Sequence, residues 1–175
     1  SVLFFMIAIS TCQAQFFDDF SDGNLGINPE WKGDLQDFII NENESLQLNS
    51  SGEGPSFLYT EISLSDSISW DFEILLDFNP SGFNKIRIYL ALDTLDVSLA
   101  NGYFIEVGES GSEDVFRFYK LENGDSDILV SGFESLANQP AYCQFKINYF
   151  QDGSWEINTK YDQNNPLITE QIIFE

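Results

Sequence analysis

Ile68-Ser69-Trp70-Asp71-Phe72-Glu73-Ile74-Leu75-Leu76-Asp77-Phe78 is the stretch on which the fold turns. Side chains of an extended strand alternate between two faces. Trp70, Phe72, Ile74, Leu76 and Phe78 therefore share one face, and Asp71, Glu73 and Asp77 lie on the other. One face is packed and one is wet, as in an antiparallel sheet lying over a core.

Working outward, the same period of two recurs in Ile86 to Leu90, Tyr103 to Val107, Val115 to Leu121 and Trp155 to Tyr161. Shorter runs lie at Ser45 to Leu48 and Phe57 to Ile62. No comparable stretch shows helical spacing. Asn123-Gly124 separates Val115–Leu121 from Ile128–Val130, and Asp152-Gly153 separates Tyr142–Phe150 from Trp155–Tyr161. Both dipeptides supply the positive φ angles of tight hairpins. Looser connections fall at 49–55, 79–84, 93–101 and 109–114, each rich in Gly, Ser, Asn or Asp. About ten short strands joined mainly by hairpins predict an all-β, two-sheet antiparallel sandwich with Greek-key or jelly-roll connections. A closed barrel is the alternative, and the long loops favour the sandwich.

The chain has 175 residues, 43% of them hydrophobic and 17 of them Phe, which suits one packed domain over residues 15–175. Its 29 acidic residues against seven Lys and Arg give a net charge of −22. Such a surface repels nucleic acid and anionic membranes, because it has no clustered basic residues to release counterions. Dense carboxylates fit an extracellular protein kept soluble by charge, or one that binds cations.

The apolar run Val2 to Ile9, followed by Cys12-Gln13-Ala14, reads as a signal peptide over residues 1–14 with cleavage before Gln15. It is too short to span a membrane. No Met or basic segment precedes it, so the peptide is expected to be truncated at its N-terminus. The rival reading makes Cys12 a lipidated anchor, although Thr11 fits a lipoprotein box poorly. Removing the signal leaves Cys143 as a lone cysteine without a disulfide partner, on the same alternate face as Phe145, Ile147 and Tyr149. It is expected to be a small core hydrophobe. Secretion or display at the cell surface is the expected localisation.

The chain has no histidine. Ser-His-Asp and Cys-His nucleophiles and histidine-ligated metals are thereby excluded. Glycoside hydrolysis by two carboxylates is the one common extracellular mechanism left. Asp71 and Glu73 alternate as such a pair would, but Leu75 holds the next outward position, so they read as a solvated strand face. The chain is expected not to be an enzyme. Calcium prefers hard oxygen ligands in flexible loops. Asp18-Asp19-Phe20-Ser21-Asp22-Gly23-Asn24 concentrates them, with Asp19 and Asp22 as candidate ligands for a structural Ca2+; Asp93-Thr94-Leu95-Asp96 is a second, weaker place. Asx turns bonded to their own backbone are the plain alternative at both. Carbohydrate binding needs aromatic platforms beside polar side chains. Trp31, Tyr89, Tyr103 and Trp155 are the aromatic candidates, and Asp93, Asp96, Asn101 and Tyr103 form the candidate ligand-binding set.

Phe17-Asp18-Asp19-Phe20-Ser21-Asp22-Gly23, Asn28-Pro29-Glu30-Trp31 and Gly33-Asp34 resemble the opening of a concanavalin-A-like (laminin-G-like) domain of secreted Bacteroidetes surface proteins, many of which carry a lamin-tail domain further along. The resemblance continues through Leu46-Gln47-Leu48-Asn49, Trp70-Asp71-Phe72, Leu76 to Ser81, Asn101-Gly102-Tyr103-Phe104 and Gly108 to Ser112, and spans roughly Phe16 to Phe174. It implies a jelly-roll sandwich, export, and a non-catalytic role in a longer chain with further domains. Related sandwiches hold calcium between the N-terminal segment and a terminal aspartate. No such aspartate stands before Glu175, which implies missing last strands. The expected function is a module binding extracellular glycan or matrix, through the loops at 93–103 and 109–114. The alternatives are an architectural spacer and a histidine-free glycosidase.

Overall fold

The computed structural model describes residues 16–63, 66–109, 111, 113–137 and 140–174. The expected signal peptide, its expected cleavage point and Cys12 lie outside the described residues. The chain divides into two compact units, the first running through Ser65 and the second beginning at Asp66.

The first unit holds two short antiparallel ribbons. One pairs β1 (Lys32–Gly33) with β4 (Leu58–Tyr59), and the other pairs β2 (Phe38–Ile40) with β3 (Leu46–Leu48). A 3-10 turn over Leu35–Asp37 leads into β2. No described residue of this unit is buried. Its contacts are polar and aromatic: Asn41 accepts from the amides of Asn43 and Ser45, Asp37 accepts from Ser56 at 2.6 Å, and the Phe16 ring stands edge-on to Trp31 at 5.7 Å.

The second unit is a β-sandwich. Its strands are β5 (Ile68–Leu76), β6 (Ile86–Leu92), β7 (Gly102–Val107), β8 (Phe116–Glu122), β9 (Asp125–Ser131), β10 (Ala141–Tyr149), β11 (Ser154–Lys160) and β12 (Ile168–Phe174). One sheet is the meander β6-β7-β8-β9, and the other runs β12-β11-β10-β5. All pairs are antiparallel. Strands β10, β11 and β12 follow one another, while β5 reaches its place beside β10 across the whole intervening meander. That is the spatial arrangement of a Greek key. Both expected hairpins form, at Asn123-Gly124 between β8 and β9 and at Asp152-Gly153 between β10 and β11.

The two sheets bury a common core. Ile74 and Leu76 of β5, Cys143, Phe145 and Ile147 of β10, and Trp155 and Ile157 of β11 meet Leu90, Ile105, Val107, Phe116, Phe118 and Val130 of the meander. Aromatic rings bridge the layers: Phe116 stands edge-on to Phe145 at 5.0 Å, and Phe118 lies 5.1 Å from Trp155. Trp70 stacks on Trp155 and is partly buried, as its alternation with Phe72 and Ile74 requires. A smaller apolar cluster covers the outer face of the meander, where Val97, Ala100 and Leu92 pack with Phe104, Leu121, Tyr89 and Tyr119.

The 93–101 loop is bolted to that outer face through the β8–β9 turn. Gly124 donates its amide to Ala100 O at 3.0 Å, and Asn123 donates to Asn101 Oδ1 at 3.0 Å. Gly124 has φ +84°, and a Cβ there would run into the Ser98 carbonyl. An L side chain at this position is strained in conformation and obstructed by backbone that cannot swing away. Gly124→Ala should destabilise the protein by about 1–3 kcal/mol. Chemical denaturation checks it, with Gly26→Ala, where a Cβ meets nothing within 4 Å, as the control.

Candidate functional site

The outer face of the β5-β10-β11-β12 sheet is where polar side chains from separate strands meet in a flat array. Alternation puts Asp71 and Glu73 of β5, Gln144, Lys146 and Asn148 of β10, Glu156, Asn158 and Lys160 of β11, and Thr169 of β12 on this side. Their neighbours at 72, 145, 147 and 157 go into the core. The register brings Lys146 opposite both Asp71 and Asn158, and Gln144 opposite both Glu73 and Lys160. Hydrogen bonds tie the array together, three of them across strands and one, from Asn158 to Glu156, along β11. Gln144 Nε2 donates to Asp71 at 3.2 Å, Asn148 Nδ2 to Glu156 Oε1 at 2.9 Å, Asn158 Nδ2 to the same oxygen at 2.7 Å, and Thr169 Oγ1 to Asn158 Oδ1 at 2.7 Å. An amide carries two donors and two lone pairs, and a carboxylate about four acceptor positions, so one internal bond orients each group without exhausting it. Asp71 and Glu73 are exposed members of this array, the solvated strand face that their alternation predicts.

The candidate ligand set falls in two places. Asp93 and Asn101 clasp each other: Asp93 accepts the Asn101 backbone amide at 2.8 Å and its Nδ2 at 2.7 Å. These bonds hold the Asp93 carboxyl below its usual range. Asp96 accepts from the amide and the hydroxyl of Ser98 at 3.1 and 2.6 Å. These three residues close the 93–101 loop on itself. Tyr103 points the other way, into the sandwich, 4.5 Å from the Trp155 ring and stacked 5.9 Å from Phe118. Trp155 is itself only 2% exposed. Strand alternation in β7 separates Tyr103 from the outward Phe104, so the loop carboxylates and the Tyr103 ring do not converge.

The acidic N-terminal turn is a chain of Asx turns. Asp18 accepts the Phe20 amide at 2.8 Å and the Trp31 indole N–H at 2.7 Å. Asp19 accepts from the Ser21 amide and hydroxyl, and Asp22 from the Asn24 amide and Nδ2. The Ser21 bonds, side chain first, lower the Asp19 pKa. Among the described residues, no group of three or more Asp, Glu, Cys or His side chains gathers as a metal cage. A shallow apolar groove of about 460 Å³ lies nearby in the first unit, lined by Leu25, Leu35, Phe38, Ile39 and Ile40 with Gly23, Asn24 and Gly26.

The meander carries its cations in closed ion pairs. Glu106, 7% exposed, receives Arg87 at 2.5 Å and Lys85 at 3.1 Å; Arg117 pairs with Glu109 and, at 3.5 Å, with Glu113. Arg87 also lies over the Phe104 ring at 5.2 Å. No open basic patch results.

A buried carboxylate escaped the sequence reading. Glu170 is 6% exposed, yet the alternation of β12 alone gives no reason for it to face inward. A β-bulge does: Ile157 pairs with Gln171 and Asn158 with Thr169, leaving Glu170 as the extra residue, turned into the sandwich. Its Oε1 accepts from Thr159 Oγ1 at 2.6 Å and Tyr161 OH at 2.7 Å, and its Oε2 from the Phe133 amide at 3.2 Å. Three donors satisfy the charge without a cation. Cys143 sits in this neighbourhood, 1% exposed, and burial pushes its thiol pKa well up, as expected for a core residue rather than a nucleophile.

No family model, curated protein or solved structure matches the chain.

Two predictions come from the Glu170 cluster. Glu170→Gln turns an amide N–H2 toward either the Phe133 amide or the two hydroxyls, so one buried donor loses its acceptor. Denaturant unfolding should register a loss of about 1–3 kcal/mol. The second concerns pH. Burial first, and then the Glu170 carboxylate, push the Tyr161 pKa far up; burial and then Glu73 push Tyr142 up to about 12. The unfolded chain releases these protons near the ordinary tyrosine value of about 10, whereas the folded chain keeps them. Their contribution to stability is therefore complete below about pH 10 and is lost as pH rises through the folded values. Cys143 acts with the same sign from about pH 8.5 upward. The melting temperature should fall on the alkaline side, and Tyr161→Phe should make that fall shallower.

Proposed function

We propose that this chain is a non-catalytic extracellular module, part of a longer secreted or surface-displayed protein, which binds glycan through the outer face of its β5-β10-β11-β12 sheet. One observation carries the reading: amides and carboxylates from three adjacent strands and a hydroxyl from a fourth are oriented by mutual hydrogen bonds into a flat polar array. Neighbouring strands lie about 4.8 Å apart and same-face residues about 6.6 Å apart along a strand, spacings on the scale of hydroxyl groups along a saccharide chain. Preorganised polar groups lose less freedom on binding than mobile ones. The absence of histidine and the exposed setting of Asp71 and Glu73 support a binding role over hydrolysis. The self-bonded 93–101 loop and the inward Tyr103 favour the sheet face over the loops as the contact surface.

The Asx turns occupy only Oδ1 of Asp19 and one acceptor position on each oxygen of Asp22, which leaves lone pairs for a cation, so the test is run with and without calcium. A glycan array probed with the chain should give positives that Asn148→Ala combined with Asn158→Ala weakens by about tenfold or more, with little change in melting temperature. A blank array in both conditions, or binding unchanged in the double variant, would overturn the proposal.

A further inference from the structure

The four edge strands of the sandwich are not built alike. In β6, Tyr89 pairs with Phe104 and Ala91 with Tyr103, so Leu90 is an extra residue. In β9, Val130 pairs with Phe118 and Ile128 with Tyr119, so Leu129 is extra. In β12 the extra residue is Glu170. Bulges twist an edge away from a straight pairing geometry and are a recognised defence against strand addition. Edge strand β5 has none. All nine of its residues, Ile68 to Leu76, pair with β10 in unbroken register from Ile68↔Tyr149 to Leu76↔Ala141.

The side chains of β5 are also incompletely matched. On the β10 side, Asp71 faces Lys146 and Glu73 faces Gln144. Among the described strands nothing faces them on the other side. On the inner face, Ile74 and Leu76 are buried while Trp70 and Phe72 remain half-buried. Both faces of this edge thus call for a further row of side chains, apolar inside and cationic outside. Pairing β5 with its own copy would set carboxylates against carboxylates between two bodies of charge −22 each, which disfavours self-association.

We propose that the free edge of β5 is a strand-addition site for an extended segment of another protein that alternates apolar and basic residues. Backbone hydrogen bonds would supply the attachment, and Asp71 and Glu73 the selectivity. This edge shares Asp71 and Glu73 with the outer-face array of the glycan reading but not Asn148 and Asn158, so separate variants distinguish the two.

The test uses the full chain and three labelled nine-residue peptides: alternating valine and lysine, alternating valine and glutamate, and the valine–lysine peptide N-methylated at alternate residues. Fluorescence anisotropy at low salt should show binding of the first, with the other two at least about tenfold weaker. Asp71→Asn combined with Glu73→Gln should weaken the valine–lysine peptide by at least about fivefold. Both positions are exposed, and a melting curve checks that the variant is folded; should it unfold, the N-methylated comparison alone decides. Equal binding of the N-methylated peptide would reveal mere adhesion to an acidic surface and overturn the proposal. So would no binding of the valine–lysine peptide, or sedimentation showing a dimer that this peptide dissociates, which would make a second copy the occupant.

Discussion

The contact of aromatic rings between the two sheets is what the second unit depends on. Phe145, fully buried, stacks on Phe72 within its own sheet and meets Phe116 from the other; Trp155 gathers Trp70 and Tyr149 from its own sheet and Phe118 and Tyr103 from the meander. Rings of this size each remove large apolar areas from water, and truncating a buried Phe or Trp in such a place costs about 3–5 kcal/mol, a large share of a domain's whole stability. Neither sheet could hide its apolar face alone. The pairing of the two layers fixes which side of every strand is outside, and so creates the polar array on one outer face and the ion-paired, loop-covered surface on the other.

That inside–outside assignment propagates strand by strand, and the bulges are where it is adjusted. Each of the three bulged edges turns its additional side chain inward: Leu90 into the main core, Leu129 against it, and Glu170 into a polar cradle. Glu170 is the most consequential. The bulge leaves it unpaired between Thr169, which lies opposite outward Asn158, and Gln171, which lies opposite inward Ile157. With it, Thr159, Tyr161 and the Phe133 amide bind β11, the segment after it, and the β9–β10 connection into one corner.

Most of the sandwich was legible because its signals are local. Strict alternation in Ile68–Leu76 and the Asn123-Gly124 and Asp152-Gly153 turns need only neighbouring residues to be read. Of the short ribbons, the strands at Leu46–Leu48 and Leu58–Tyr59 fall in runs the sequence shows, whereas their partners Phe38–Ile40 and Lys32–Gly33 were not read as strands, since two or three residues carry little period. Asp71 and Glu73 showed as a wet face, but their partners Gln144, Lys146 and Tyr142 lie about seventy residues away, and only register brings them together. Tyr103 was misleading for the same reason: next to a polar loop in sequence, it belongs to the face opposite Phe104. A bulge shifts parity by one, so Glu170 could not be separated from an ordinary solvated glutamate by alternation.

The distribution of the few cations ties these strands together. Lys32, Lys85, Arg87, Arg117 and Lys120 each stand in an ion pair with a glutamate. Exposed pairs such as Lys32–Glu61 contribute little, whereas Glu106, nearly enclosed, would be a costly lone charge without Arg87 and Lys85. The remaining two, Lys146 and Lys160, stand on the outer face of the other sheet, among the amides of β10 and β11. The meander therefore uses its positive charge to neutralise its own buried or partly buried carboxylates, while the opposite sheet keeps positive charge beside Gln144, Asn148 and Asn158. In a chain of net charge −22, this face therefore mixes cations, amides and carboxylates where a solvated strand face could have presented carboxylates alone.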